Sequence, residues 1–521
     1  MSLGPDAAQW HARRRRKRRL GCLLPAGAAA ALAAVFAVWH VLWLFDEPRI
    51  TRNYTAEFNA RFEQVPEEDR AWPLFKEAIM EALRVPMPQE VEEFWTPAPN
   101  WPQWEQTRAY MEQMQPILAL VREAAGRAVF GRLLSDALDP DIALARAVAS
   151  GRAPEAGVPG PSDNPMLISV ILEELTSLRR FAQTLSVDVF IAAEDGDSAR
   201  AADDLRAMLG LARHSCESQT IIGYLVAIGI ESIAMERLAQ VLTSEPGLFS
   251  PAQLAELQEA FMTIGRPGPA PPEGLTRLRI AWTLERQAFY DVVQRTYSDD
   301  GHGDGHLTVQ GLRVFQEILD VSGSSRPEVP GLSAVYLAAS RRELLEEYDR
   351  LMDRMEQAAA ARPWNRGDAI AAFDEEVERL RSEPWRRRRY SLIWLLMPSM
   401  GNVVRQADLA DARRDAAITI LALARHRADR GHYPQTLAEL VPDYLPALPL
   451  DPVDGQVMRY RPTESGCVLY SLGYDADDDF GRPPREPAMA LPFRLRNEDV
   501  DTDGDWVFFP LPMPVFEFEE E

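Results

Sequence analysis

From about residue 54 to residue 265, apolar side chains recur every three to four positions, the period of a helix with one buried face. Residues 166–193 carry Leu167, Val170, Ile171, Leu175, Leu178, Leu185, Val189 and Phe190 at that spacing, and Asp195-Gly196-Asp197 breaks the pattern. Further helices are predicted over 199–216 and 221–242, and another opens at Ser250-Pro251, where Ser caps and Pro fits the first turn. Residues 265–274 read Gly-Arg-Pro-Gly-Pro-Ala-Pro-Pro-Glu-Gly, which cannot continue a helix and marks a linker. Helices resume over 275–297, 309–319 and 332–361. The apolar run 390–404, interrupted by Pro398 and Gly401, is too short for a membrane crossing and is predicted to be a buried core helix. Four arginines, Arg386 to Arg389, precede it and keep a second crossing as the alternative. The pattern predicts a mainly α chain, a helical-hairpin array or an ordinary bundle.

The N-terminus has a different pattern. Residues 13–19 are all Arg or Lys, and residues 20–45 contain no Asp, Glu, Lys or Arg. At about 1.5 Å per residue that stretch can cross a hydrocarbon core of about 30 Å. The cationic flank predicts a cytoplasmic N-terminus, with Trp39 and Trp43 near the outer interface. A cleaved secretory signal is the competing reading, but the apolar run continues through Val41, Leu42, Leu44 and Phe45, which favours an uncleaved anchor. The expected organisation is a basic segment (1–19), a transmembrane helix (20–45), a helical domain (46–264), a linker (265–274), a second helical region (275–404) and a C-terminal module (405–521). The localisation is then the cytoplasmic membrane, with the bulk of the chain outside the cytoplasm.

Composition supports that picture. The formal net charge is −23, and because the first 45 residues carry seven basic and one acidic side chain, the remainder carries −29. Such an exterior repels nucleic acid and anionic lipid head groups and favours cations. Beyond the membrane segment the cysteines are Cys216 and Cys467, which could pair or remain buried thiols.

In the last ninety residues an Ala-rich helix reaches Gly431-His432-Tyr433-Pro434. Pro449-Leu450-Asp451-Pro452, Arg459-Tyr460 and Tyr470-Ser471-Leu472-Gly473-Tyr474-Asp475 follow. This order resembles the globular part of the type II secretion major pseudopilin (general secretion pathway protein G). The resemblance implies a helix and small sheet, an α+β module, with a calcium-binding acidic loop after the "YSxGxD" strand. It places a calcium ligand at Asp475, with Asp477, Asp478 and Asp479 beside it and Asp503 and Asp505 before a closing strand. The Pro-rich insertion over 482–492 departs from the family's short loop and leaves open whether both acidic clusters share one ion. The alternating Asp475, Asp477 and Asp479, and Asp499, Asp501, Asp503 and Asp505, themselves suit a hard cation, which would relieve their repulsion.

A second candidate lies between two helical patterns, at Asp300-Gly301-His302-Gly303-Asp304-Gly305-His306-Leu307-Thr308. Counted from Asp300, an EF-hand loop finds Asp at positions 1 and 5, Gly at 6, Leu at 8 and Thr at 9, so Asp300, Asp304 and Thr308 are candidate calcium ligands. Position 3 is His302, and position 12, where the bidentate Glu belongs, is Gly311. A plain Gly/Asp turn and zinc held by His302 and His306 are the alternatives.

Enzyme signatures are missing: there is no P-loop, no His-Glu-x-x-His pair and no Gly-x-Ser-x-Gly elbow. His214 and Cys216 lie two apart on a helix and point in different directions. The expectation is therefore a non-enzymatic, membrane-anchored scaffold or interaction protein with a calcium-binding pseudopilin-like module and protein partners. An accessory part of a type II secretion or pilus-like system, and an extracytoplasmic hydrolase, are the alternatives. Against the secretion reading, the apolar segment lacks the Glu that follows a prepilin cleavage site, and more than 350 residues separate it from the head.

Overall fold

The computed structural model describes residues 31–43, 45–87, 103–152, 160–264, 277–321, 333–397, 399–464, 466–473, 475–484 and 503–511. Its helices, in chain order, are α1 (31–43), α2 (Tyr54–Glu63), α3 (Trp72–Ala82), α4 (Trp104–Gly126), α5 (Pro140–Ala149), α6 (Glu173–Glu194), α7 (Ser198–Cys216), α8 (Ile221–Ser244) and α9 (Pro251–Thr263). They continue as α10 (Arg277–Thr296), α11 (Val309–Val321), α12 (Ser333–Leu337), α13 (Arg341–Ala360), α14 (Gly367–Ser382), α15 (Pro384–Arg389), α16 (Ser391–Leu396) and α17 (Met400–Arg430). Strands β1 (Arg459–Pro462), β2 (Cys467–Ser471) and β3 (Trp506–Phe509) form an antiparallel sheet in the order β1-β2-β3. The described residues are mainly α, and their strands form this one small sheet.

Local chemistry explains the helix ends. The side chain of Asp197 accepts from Arg200 N–H, Thr220 accepts from Gly223 N–H, and Ser250 forms a capping box with Gln253, so α7, α8 and α9 each start at a satisfied N-cap. The long α17 stops at Gly431, whose left-handed backbone provides the expected C-terminal turn. The expected helix over 166–193 starts later, at Glu173, because Leu167–Ser169 forms a separate 3₁₀ turn that Asp291 holds by accepting the Leu167 N–H.

The chain divides into two compact units. One contains residues 52–291, 347–383 and 392–521. Here α6, α7 and α8 pack side by side, and α17 packs against α8 and α9. Its core joins Leu178, Leu185, Leu205, Leu238 and Leu257 to Ala416, Ile420 and Leu421 of α17 and to Leu440, Leu469 and Phe509 of the C-terminal region. Each fully buried Leu or Phe contributes about 1.5–3 kcal/mol. The helical domain and the C-terminal module expected as separate bodies therefore share one core. The small side chains along α17 let it approach α8 and α9 closely, and Gln258 of α9 donates to both Ile418 O and Tyr444 O. Polar groups are buried in the same core: Arg122 of α4 bridges Asp188 of α6 (2.7 Å) and Asp204 of α7 (2.6 Å), two carboxylates with no exposure.

In this unit residues 392–404 are mostly core, with Leu392, Ile393, Met397, Met400 and Val404 buried, but the one helix expected over 390–404 is divided between α16 and α17. Cys216 and Cys467 are both free thiols. Burial pushes Cys467 up to about 12 and Cys216 to about 11, so neither is a thiolate near neutrality.

The other unit contains residues 1–51, 292–346 and 384–391. Among the described residues no helix is long and apolar enough to cross a membrane. Residues 20–30 of the expected crossing lie outside the described residues, and 31–43 form α1, whose Leu32, Val35, Phe36, Val38, Val41 and Leu42 are all more than half exposed.

Candidate metal centre

The C-terminal acidic residues are brought together by the way β2 and β3 pair. Ser471 lies opposite Trp506 and Tyr470 opposite Val507, so the residues just past β2 face those just before β3. At that crossing Gly473 has φ +76°, and a Cβ there would meet the carbonyl oxygen of Gly504 at 2.5 Å, so only glycine lets the two segments touch. Gly504 N–H donates to Asp475 Oδ2 (2.9 Å), Gly481 N–H donates to Asp505 Oδ2 (2.6 Å), and Asp505 N–H donates to Arg482 O (2.8 Å).

The result is a group of four carboxylates, Asp475, Asp477, Asp479 and Asp503, each offering an oxygen within 4.8 Å of the others. Carboxylate oxygens at this spacing could hold a metal ion. Three of the four follow the alternating spacing read from the sequence, and Asp503 arrives from the far side of the β2–β3 connection. Asp479 Oδ2 is buried with no hydrogen-bond partner. The charge of Asp475 raises the Asp477 carboxyl above its ordinary range, the signature of like charges held together.

Two neighbouring acids do other work. Asp478 turns away and accepts from Tyr470 Oη (3.1 Å) and Phe480 N–H (2.9 Å). Asp505 is fully buried and ties down Gly481, with one oxygen unmatched, and burial lifts its carboxyl to about 6. It supports the loop from beneath and is not one of the four convergent groups. Asp499 and Asp501 lie outside the described residues.

Two participants carried no sequence signal toward the cluster. Arg482 places its guanidinium on Asp479 (2.6 Å) and Asp503 (3.1 Å), an internal cation at the rim of the acidic group. Asp451, from the Asp-Pro segment, is fully buried and accepts from Ser471 Oγ (2.8 Å), Leu472 N–H (3.2 Å) and Val453 N–H (2.9 Å) while pairing with Arg459 (3.0 Å). It fixes the end of β2 and so sets the origin of the acidic loop.

The second candidate loop is arranged differently. Asp300 Oδ1 accepts from His302 N–H (2.7 Å) and Asp304 N–H (3.1 Å), and Asp304 Oδ1 accepts from Gly305 N–H (2.8 Å) and Arg342 N–H (3.2 Å). These backbone donors hold both carboxyls below the ordinary range. Thr308 Oγ donates to Thr296 O (3.0 Å) and accepts from Gly311 N–H (2.9 Å), so it caps α11. Both ring nitrogens of His306 are engaged, Nδ1 with Ser298 Oγ (3.0 Å) and Nε2 with Trp43 O (2.7 Å), and its ring stacks on Trp43. Among the described residues, the carboxylates that meet at ligand spacing are the C-terminal four.

No protein-family model, no curated protein and no solved structure matches this chain.

Proposed function

We propose that Asp475, Asp477, Asp479 and Asp503 bind a calcium ion that locks the β2–β3 connection, in a membrane-anchored scaffold whose helical array and C-terminal module act as one body. The observation that carries this is the convergence of four carboxylate oxygens within 4.8 Å, from two chain segments, in a loop whose repulsion is offset by one arginine. The position of Asp475 in the pseudopilin-like "YSxGxD" sequence supports the same ion. The exposed apolar surface of α1, continuing an uncharged stretch from residue 20, supports the anchor. A scaffold role accords with the absence of an enzyme motif and with thiols that burial keeps protonated.

The test is a calcium titration of the detergent-purified full chain, followed by calorimetry and by amide exchange over 475–484 and 503–509. Binding to the native state alone should stabilise by about 2.7 kcal/mol at a hundredfold excess over Kd. Magnesium, which demands tighter octahedral order, should substitute poorly. The double variant Asp475→Asn, Asp503→Asn should lose the response. Identical melting and exchange in calcium and in chelator would sink the proposal.

A further inference from the structure

The arginine run Arg386 to Arg389 has no crossing to orient, since the apolar residues after it are core. The structure places it elsewhere, within the unit that holds α1. Tyr336 of α12 reaches α1 directly: its hydroxyl is 2.9 Å from His40 Nε2, and its ring lies 5.5 Å from that of Trp43. Helix α12 lies against α15, and Ala339 N–H, just past α12, donates to Arg389 O (2.8 Å) at the end of α15. Of the four arginines, Arg389 turns inward to pair with Glu343 and lies 6.0 Å from the Trp385 ring. Arg386, Arg387 and Arg388 are exposed, as is Trp385 at 58%.

An exposed tryptophan beside three exposed arginines runs against the character of this chain, which carries −29 beyond residue 45. It matches the requirements of a bilayer surface. Arginine meets phosphate with a fork of donors, and an indole settles at the boundary between headgroup and acyl chain. The anchor ends in the same unit, on Trp43 and His306. Rigid contacts through α12 therefore hold α15 to the helix that would leave the membrane.

We propose that α15 is a seat for acidic phospholipid headgroups, with Arg386, Arg387 and Arg388 on the phosphates and Trp385 at the interface. The inference rests on reading residues 20–45 as a membrane anchor. A seat at this point would fix the orientation of the unit on the bilayer, which a single flexible crossing does not do. Acidic lipid surfaces attract such juxtamembrane basic clusters within a Debye length, so the contact should weaken with salt.

The full chain is reconstituted into bilayers of zwitterionic lipid alone and into bilayers rich in acidic phospholipid, and amide exchange is followed peptide by peptide. Residues 384–391 should exchange severalfold more slowly in the acidic bilayer, and added salt should remove the difference. The variant Arg386→Gln, Arg387→Gln, Arg388→Gln should abolish it while residues 31–43 stay protected in both bilayers. Equal exchange of 384–391 in the two bilayers, with 31–43 protected, overturns the seat and leaves the anchor standing. Free exchange of 31–43 in both overturns the anchor, and the seat with it. Protection of 384–391 by a soluble polyanion but not by the acidic bilayer also overturns the proposal, in favour of another partner.

Discussion

Two loops in this protein carry aspartates at odd-numbered spacing, the first with glycines between them and the second with glycines at its flanks, and they use their carboxylates in opposite ways. In the 299–308 loop, Asp300 and Asp304 fold back onto backbone N–H groups of their own turn and of α13. In the 475–479 loop the alternate carboxylates point at one another and at Asp503, with Gly504 N–H as a backbone donor to Asp475. A tight turn rich in left-handed glycines, such as Gly301 and Gly303, exposes N–H donors that satisfy its own acids. Where a second strand crosses the loop, Asp475 takes its backbone donor, Gly504 N–H, from that other segment. Acidic spacing therefore gives converging carboxylates where a distant segment delivers another carboxylate, and a self-satisfied turn where it does not.

The strongest way to break the comparison is to remove what sets the crossing. Replacing Asp451 with Ala leaves Ser471 Oγ and the Leu472 and Val453 N–H groups without their acceptor while Arg459 keeps Asp454, and each buried group left unsatisfied costs about 1–3 kcal/mol. Urea unfolding should report that loss, and calcium binding should weaken although no carboxylate of the cluster has changed. Retention of the full calcium response would show that convergence does not depend on the end of β2. The other loop should respond to a different change. Thr308→Val removes the α11 cap and should cost about 1 kcal/mol, equally with calcium and with chelator. The pair Asp300→Ala, Asp304→Ala should leave the calcium response of the chain intact, and a lost response would move the ion to that loop.

Much of this was legible in the sequence, and the parts that were not share a cause. Apolar periodicity and cap residues predict α7, α8, α9 and α10 to within a few residues, because both act locally. Alternation singles out Asp475, Asp477 and Asp479 in one run and Asp503 in another, but leaves open whether the two runs meet; the pairing of β2 with β3 brings them together. Nothing in the spacing shows that Asp478 would turn to Tyr470 or that Arg482 would bridge Asp479 and Asp503, since both depend on the path of a loop. Nor does a pattern of apolar residues reveal Arg122 clamping Asp188 and Asp204, where charged residues occupy core positions. The shared core of the array and the module escaped for a related reason: the alanines of α17 carry little hydrophobic signal, yet their small size permits its close packing.

A finer probe separates the carboxylate that supports the loop from the four that converge above it. Burial raises Asp505 to about 6, so the native state holds its proton more tightly than the unfolded chain, whose aspartates titrate near about 4. Its contribution to stability is therefore fully present below about pH 4 and is lost as pH rises through 6. Asn at this position keeps an acceptor for Gly481 N–H and removes the buried charge. With calcium chelated, the stability of Asp505→Asn relative to the parent should rise between about pH 4 and 6 and then level off. A constant offset across that range would mean that the charge of Asp505 is already compensated in the fold.

The smallest expected effect concerns Arg482, and it tests whether the acidic group is a vacant-charge problem or a solved one. Its guanidinium contacts Asp479 and Asp503, the two members of the cluster drawn from opposite sides of the β2–β3 connection, and the arginine side chain itself is about half exposed. An exposed pair of this kind adds little to stability, and salt screens it. As a cation, however, it would compete with the proposed calcium for the same two carboxylates. Arg482→Gln should leave the chelated protein close to the parent in stability while tightening calcium severalfold, more at low salt than at high salt. Were calcium to bind more weakly in Arg482→Gln, the arginine would be aligning Asp479 and Asp503 for the ion, and the convergence would belong to the side chains as much as to the strand crossing. If neither affinity nor stability changed, Asp475 and Asp477 would dominate, and the contrast between the two loops would rest on the Gly473–Gly504 contact alone.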